Sequence, residues 1–284
     1  MMFLTNTPEP LNNVFIEIGP LTIMWYAVLI LSGAAIATIL AIIEGKKIGV
    51  DRTFLEDLVL FGVPISIVGA RLFYVIFEWG SYKDRPLDIF KINEGGLAIY
   101  GAVIFALIWG YYLSKKRNQD YIRVIDLGAV GFLIAQAVGR WGNFMNQEAH
   151  GGEVTRQFLE NKLHLPQFIV DQMYINGAYW HPTFLYESMW NVLGFIILLV
   201  LRRTKLLLVG DLGLLYLIWY GIGRYMVEGM RTDSLYVGNT DIRISQLISI
   251  IAILIGVCVF VLRRIYKWYP KYYYELIEVN KATK

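Results

Sequence analysis

Arg140, Asn143, Asn146, Gln147, Glu148 and His150 fall within one stretch, Gly139–Gly152, which follows an apolar run from Leu127 to Val138. Charge at the depth where a helix leaves lipid is expensive, so it is retained mainly where it serves a function. Helical spacing places Arg140, Asn143 and Gln147 on one face, at i, i+3 and i+7. A second set reads Tyr220, Arg224, Glu228 and Arg231, at i, i+4, i+8 and i+11, so that Arg224 and Glu228 can pair within the helix. Arg71, after Gly69-Ala70, adds a third cation inside an apolar segment, and His181-Pro182 opens another helix that carries Tyr186 and Glu187. Guanidinium binds phosphate through paired hydrogen bonds and stays charged at any physiological pH. Three such groups around one cavity at lipid level point to a phosphate-bearing anion, and to a phospholipid headgroup in particular. The same arginines can stabilise negative charge as a phosphate departs.

Each residue also has a plainer reading. Arg140 can snorkel to the headgroups. Arg224 and Glu228 can be a structural ion pair, Arg71 a partner for an acidic residue, and His181 no more than a helix start.

Composition says what kind of elements hold these residues. Hydrophobic residues make up 56% of the 284, charged residues 17%, and mean hydropathy is +0.49. A soluble domain carries roughly a quarter charged residues, so the expected class is an all-α integral membrane protein. Seven stretches approach the roughly 20 residues that span a bilayer: 21–43, 55–77, 96–113, 124–143, 183–201, 210–228 and 244–262. The first twenty residues hold no Lys or Arg, so the basic start of a cleaved signal is missing and the first apolar segment is expected to remain a span. Sixteen basic residues fall on one side of these spans and seven on the other, which puts the N-terminus outside and the C-terminus in the cytoplasm.

With that orientation, Arg71, Arg140 and Arg224 lie late in outward-running spans, and Tyr26, Tyr100, Tyr186 and Glu187 lie early in inward-running ones. All fall in the outer half of the membrane, as one outward-facing polar cavity requires. Residues 80–95, with Leu87, Ile89, Phe90 and Ile92 among charges, read as an interfacial arm. Residues 150–182 read as a small extracytoplasmic cap inserted in a single membrane domain of residues 1–284. The net charge of +3 gives no reason to expect nucleic acid. The single cysteine, Cys258, lies in an apolar run and reads as a small filler. Metal-ligand spacing is absent, and neither a metal nor a cofactor is expected.

The segment Gly139-Arg140-Trp141-Gly142-Asn143-Phe144-Met145-Asn146-Gln147-Glu148-Ala149-His150-Gly151 resembles the signature of the bacterial prolipoprotein diacylglyceryl transferases. The resemblance extends to Trp25-Tyr26, Gly69-Ala70-Arg71-Leu72, Gly95-Gly96, His181-Pro182-Thr183 with Leu185-Tyr186-Glu187, and Arg224 with Glu228 and Arg231. It implies a multi-pass enzyme of the bacterial cytoplasmic membrane with its site facing outward. Its substrates would be phosphatidylglycerol and the lipobox cysteine of a prolipoprotein signal peptide, and its products a thioether-linked lipid and glycerol phosphate. Arg140 and Arg224 would hold the phosphate, and Glu148 and Tyr100 would belong with them to the catalytic set. Asn143, Asn146, Tyr26, Gly151, Arg71, Glu228, Arg231, His181 and Glu187 would complete the substrate site.

One departure stands out. Many members carry a histidine where this chain has Tyr100. Neutral tyrosine, with a reference pKa near 10, is a poor base at pH 7. A thiol of pKa about 8.5 set beside arginines is already partly ionised, so Tyr100 need only orient a group; Glu148, His150 and His181 are the other candidates for the base. Two other classes fit the arginines: an anionic lipid or solute transporter, and a lipid-binding scaffold. Against transport, the inner halves of the spans are apolar apart from Glu56, Asp57 and Asp126. A scaffold would not need Arg140–Glu148 and Arg224–Glu228 pairs in one pocket.

Overall fold

The computed structural model describes residues 9–19, 21–92, 95–238, 240–268 and 271–282. Helices dominate, in the order α1 (Trp25–Ile48), α2 (Arg52–Phe77), α3 (Trp79–Tyr82), α4 (Ile99–Lys116), α5 (Tyr121–Met145), α6 (Gln167–Gln172), α7 (Thr183–Leu201), α8 (Asp211–Glu228), α9 (Ile244–Ile265) and α10 (Tyr273–Ala282). Among the described residues, five of these are long and apolar enough to cross a membrane: α1, α2, α5, α7 and α9. The other two expected spans form α4 and α8, of 18 residues each. The first helix starts later than the apolar pattern indicates, because Leu21–Met24 (β2) pairs antiparallel with Val14–Ile18 (β1) before the chain turns helical at Trp25.

Two compact units divide the chain. One takes the described residues of Met1–Ala37 and Gly128–Tyr274; the other takes those of Thr38–Leu127 and Glu275–Lys284.

In the second unit, Asp51 caps α2 by accepting from the Phe54 N–H at 2.8 Å. Lys46 and Lys47 end α1, and Lys115 and Lys116 end α4, where cations complement the helix dipole. Helices α2 and α4 approach closely at Gly69 and Gly101; a Cβ on Gly101 would lie 2.3 Å from the Gly69 carbonyl oxygen. Small residues allow this where apolar burial gives helices in lipid little drive to associate. The arm residues run through α3 and a 3-10 turn, Pro86–Phe90, and leave Leu87, Phe90 and Ile92 exposed.

In the first unit, α7 meets α8 through two indoles that each fill a glycine notch. Trp190 and Trp219 stack with centroids 4.3 Å apart, and each Nε1–H donates to the other's carbonyl at 3.0 Å. A Cβ on Gly223 would come within 2.3 Å of Trp190, and one on Gly194 within 2.2 Å of Trp219. Asp211, fully buried at the start of α8, accepts from Arg263 and Arg264 at 2.7 Å and from the Leu208 N–H at 2.8 Å. That carboxylate fastens the start of α8 to the end of α9.

The cap carries a three-stranded antiparallel sheet, ordered β3 (Glu153–Val154), β5 (Ala178–Trp180), β4 (Tyr174–Ile175). Asn176-Gly177, both with positive φ, make the two-residue turn between β4 and β5. Leu159, Ile169, Val170, Met173 and Ile175 form its core together with Phe144 of α5 and Phe184 of α7. The cap is therefore packed onto α5 and α7, two of the helices that carry site residues; of the apolar residues expected inside it, Phe168 is exposed.

Candidate active site

The arginine pair is built by α5, α7 and α8. Arg140, five residues before the end of α5, places Nη2 2.6 Å from Glu187 Oε2 on α7. Arg224 on α8 places Nη1 3.5 Å from the other oxygen of the same carboxylate and Nη2 2.5 Å from Glu228 Oε2. Arg224 Nη2 also donates to Ser245 Oγ of α9 at 3.3 Å. The side chains of Glu187 and Glu228 are only 7% and 2% exposed. Carboxylates so buried are tolerated when paired, and removing one partner typically costs about 3–5 kcal/mol. Arg224 Nη1 is buried and makes no hydrogen bond among the described residues, so it keeps N–H capacity toward a further oxyanion.

From Arg140 a polar chain runs past the end of α5. Arg140 Nη1 donates to Asn143 Oδ1 at 3.3 Å, Asn143 Nδ2 donates to Glu148 Oε1 at 2.9 Å, and Asn146 Nδ2 reaches the same oxygen at 3.3 Å. Glu148 is thus not the ion-pair partner of Arg140 expected from sequence; Glu187 is, with Asn143 interposed between Arg140 and Glu148. Helix α5 ends at Met145, and Gln147 and Ala149 adopt φ of 52° and 57°. Such backbone is uncommon for residues other than glycine and tends to persist at functional sites. It lifts Gln147 off the predicted stripe; its amide donates instead to the Gln172 carbonyl of the cap at 3.1 Å.

Several contacts hold this loop. Thr183 Oγ1 donates to the Ala149 carbonyl at 2.5 Å, the Gly151 N–H donates to the His181 carbonyl, and Gly151 pairs with Arg231 as an antiparallel bridge. A Cβ on Gly151 would stand 2.7 Å from His181 Cβ, so only glycine fits there. Arg231 lies past the end of α8, which closes at Glu228, so the four-residue stripe is three residues long; Arg231 binds Asp233 through two hydrogen bonds of 2.8 and 2.6 Å. Those bonds hold the Asp233 carboxyl below its ordinary 3.8. Tyr26 lies over Gly142, 2.7 Å from where a Cβ would be, within electrostatic reach of Glu148 and Arg140.

The candidate bases differ in setting. His181 Nδ1 lies 3.1 Å from the Tyr186 hydroxyl, and burial pushes its imidazole below the ordinary 6.5. The His150 ring packs on Trp180 with centroids 4.4 Å apart. Glu148 is exposed and held by two amides.

The second unit contains Arg71 and Tyr100. Tyr100 is the second residue of α4 and is 38% exposed. Arg71, expected as a headgroup ligand, spends its guanidinium on the main chain. Nε donates to Ile89, Nη1 to Gly95 and Gly96, and Nη2 to Asp88 and Lys91, at 2.7 to 3.3 Å. A guanidinium has five N–H donors, and all five are taken by carbonyls. Arg71 is therefore a fastener for Asp88, Ile89, Lys91, Gly95 and Gly96, with no donor left for phosphate.

Ser245, Trp190 and Asn191 join the site without having been foreseen. Trp190 and Asn191 line a crevice beside Glu187 and Arg224 together with Tyr220 and Gly223. Asn191 sits one turn from Glu187, and a buried amide in an apolar helix is the signal that would have singled it out.

The family model described as prolipoprotein diacylglyceryl transferase matches residues 13–262. A protein from Listeria innocua serovar 6a, named phosphatidylglycerol–prolipoprotein diacylglyceryl transferase, is 51% identical over 270 residues, covering 95% of this chain and 96% of its own. Proteins of the same name from Shouchella clausii and Geobacillus kaustophilus are 47% identical over 276 residues and 49% identical over 263. These cover 97% and 93% of this chain, and 97% and 96% of their own lengths. With the match running through both arginine-bearing helices and the loop between Arg140 and Gly151, the chain belongs to the prolipoprotein diacylglyceryl transferase family.

Proposed function

We propose that the protein transfers the diacylglyceryl group of phosphatidylglycerol to the lipobox cysteine of prolipoproteins at the outer face of the bacterial cell membrane. The observation that carries this reading is the convergence of Arg140 and Arg224 on one carboxylate, beside a buried N–H with no hydrogen-bond partner among the described residues. In the reaction the cysteine sulfur attacks the glycerol carbon that bears the phosphate. The C–S bond forms, the C–O bond breaks, and its electron pair goes to the phosphate oxygen. Glycerol phosphate leaves with one more unit of negative charge, or takes up the proton that the thiol gives up. Arg140 and Arg224 neutralise that developing charge in a site shielded from water, where fixed donors act most strongly. Asn143 orients Arg140 and Glu148, and Tyr26 forms the wall opposite Gly142.

Seven spans, α4 and α8 included, carry the chain from an outer N-terminus to a cytoplasmic C-terminus. The excess of basic residues on the inner loops supports this orientation. The whole chain acts as one membrane domain, with the cap shielding the site and the exposed Leu87, Phe90 and Ile92 seated in the interface.

The test uses purified protein in detergent with phosphatidylglycerol and a lipobox peptide. Mass spectrometry should show the peptide heavier by one diacylglyceryl group on cysteine, and no gain with Arg140→Ala or Arg224→Ala. An unmodified peptide, under conditions where a control transferase modifies it, would overturn the reading.

A further inference from the structure

Glu187 sets one carboxylate oxygen on each arginine, Oε2 toward Arg140 at 2.6 Å and Oε1 toward Arg224 at 3.5 Å. A phosphodiester offers its two non-bridging oxygens in the same way, and a guanidinium fork accepts either anion. We propose that Glu187 is a resident surrogate for the substrate phosphate: it keeps the two guanidiniums in register, yields them to the lipid, and reclaims them as glycerol phosphate departs. This positioning role rests on the reading of Arg140 and Arg224 as the phosphate clamp.

Three features make the exchange feasible. Each arginine keeps a second partner when Glu187 lets go, Asn143 for Arg140 and Glu228 for Arg224, so neither is stranded. The longer of the two contacts, to Arg224, can open first. The released carboxylate stays within electrostatic reach of Arg231, which feels both Glu187 and Glu228. Helix α7 does not need to move, because Ser188 Oγ is fixed to the Ala137 carbonyl at 3.0 Å and Thr183 to Ala149.

Charge gives the exchange its direction. Arg140, Arg224, Glu187 and Glu228 sum to zero, so a bound phosphate makes the cluster negative, and a phosphate monoester with a second charge makes it more so. Glu187 then works against retention of the product. Without its charge the cluster is left positive and should trap phosphate.

The experiment measures binding and turnover separately for Glu187→Gln. Glycerol phosphate in solution and phosphatidylglycerol in nanodiscs should both bind more tightly, by about tenfold or more for one like charge removed a few ångströms away. Both kcat and KM for the lipid should fall together, and glycerol phosphate should raise the melting temperature of the variant more than that of the wild type. A structural residue would instead raise KM and lower stability, with no gain in affinity. Glycerol phosphate binding no tighter to the folded variant than to the wild type overturns the proposal, as does tightening for the lipid alone, which would place the effect away from the phosphate. Should Glu187→Gln fail to fold, Glu187→Asp, which withdraws the carboxylate by one methylene, should tighten binding in the same direction; weaker binding overturns the proposal. Failure of the wild type to bind either ligand would count against the clamp itself.

Discussion

Asn143 and Glu148 are joined amide to carboxylate at 2.9 Å, across the turn that ends α5. The other end of the same amide accepts from Arg140. A side-chain amide meets both demands, since its carbonyl faces a guanidinium and its NH2 a carboxylate. Asn143→Asp would set two carboxylates against each other. The expected outcome is a loss of transfer activity of about 10²-fold, partly recovered in Asn143→Asp/Glu148→Gln, where an amide–carboxylate pair is rebuilt in reverse. Thioether formation by mass spectrometry measures both.

Lysine in place of either arginine retains charge and loses the fork. Arg140→Lys cannot meet Asn143 and Glu187 together, and Arg224→Lys cannot span Glu187, Glu228 and Ser245. Each variant should lose kcat by about 10²–10³-fold while remaining folded by circular dichroism.

Tyr100→Phe should leave the rate within about threefold of wild type, because a phenol with a reference pKa near 10 takes no proton at pH 7. A drop of two orders of magnitude, seen in initial rates at saturating lipid, would instead give the hydroxyl a part in proton transfer.

His181 provides a pH test. Burial lowers its pKa in the folded protein below the unfolded 6.5, so around and below that pH the unfolded chain binds more protons than the folded one. Stability is then undiminished above pH 6.5 and declines as pH falls through 6.5 toward the folded pKa. His181→Gln should flatten this decline, which melting curves at pH 7.5, 6.5 and 5.5 can read; an unchanged slope would remove His181 as its source.

Gly223→Ala and Gly194→Ala drive a methyl group into Trp190 and Trp219, with contacts of 2.3 and 2.2 Å to relieve. Overpacking of this kind costs about 1–3 kcal/mol. Lower melting temperatures in detergent are expected for both, and the effect should be smaller when the facing indole is truncated to Phe in the same protein.

Local pattern made much of this architecture legible. Thr183–Leu201 is helical over the residues its apolar run marks out, and Arg140 and Arg224 share a partner as their matching depth implies. What stayed hidden depends on other elements. Glu187 as the common partner was out of reach because no periodicity pairs residues on different helices. Gln147 left its predicted face because the chain turns into positive φ there, and Arg231 left its stripe because α8 closes at Glu228. The hairpin of Val14–Ile18 with Leu21–Met24 was masked by apolar residues that merge with the first span. Arg71 could not be assigned from its neighbours, since its partners are carbonyls, which every residue carries.

That last contact has a consequence for substitution. The hydrogen bonds of Arg71 all go to main-chain oxygens, so that part of the grip asks nothing of the side chain at 89, while the Tyr82 ring at 5.3 Å and the Asp88 carboxylate, which also pairs with Lys91, add to it. Gly95 and Gly96 are constrained as well: both take positive φ, and a Cβ on Gly96 would stand 2.5 Å from the Arg71 guanidinium. A change of side chain at 89 therefore leaves the anchorage of Arg71 in place, whereas a change at 88 removes a charge that faces it.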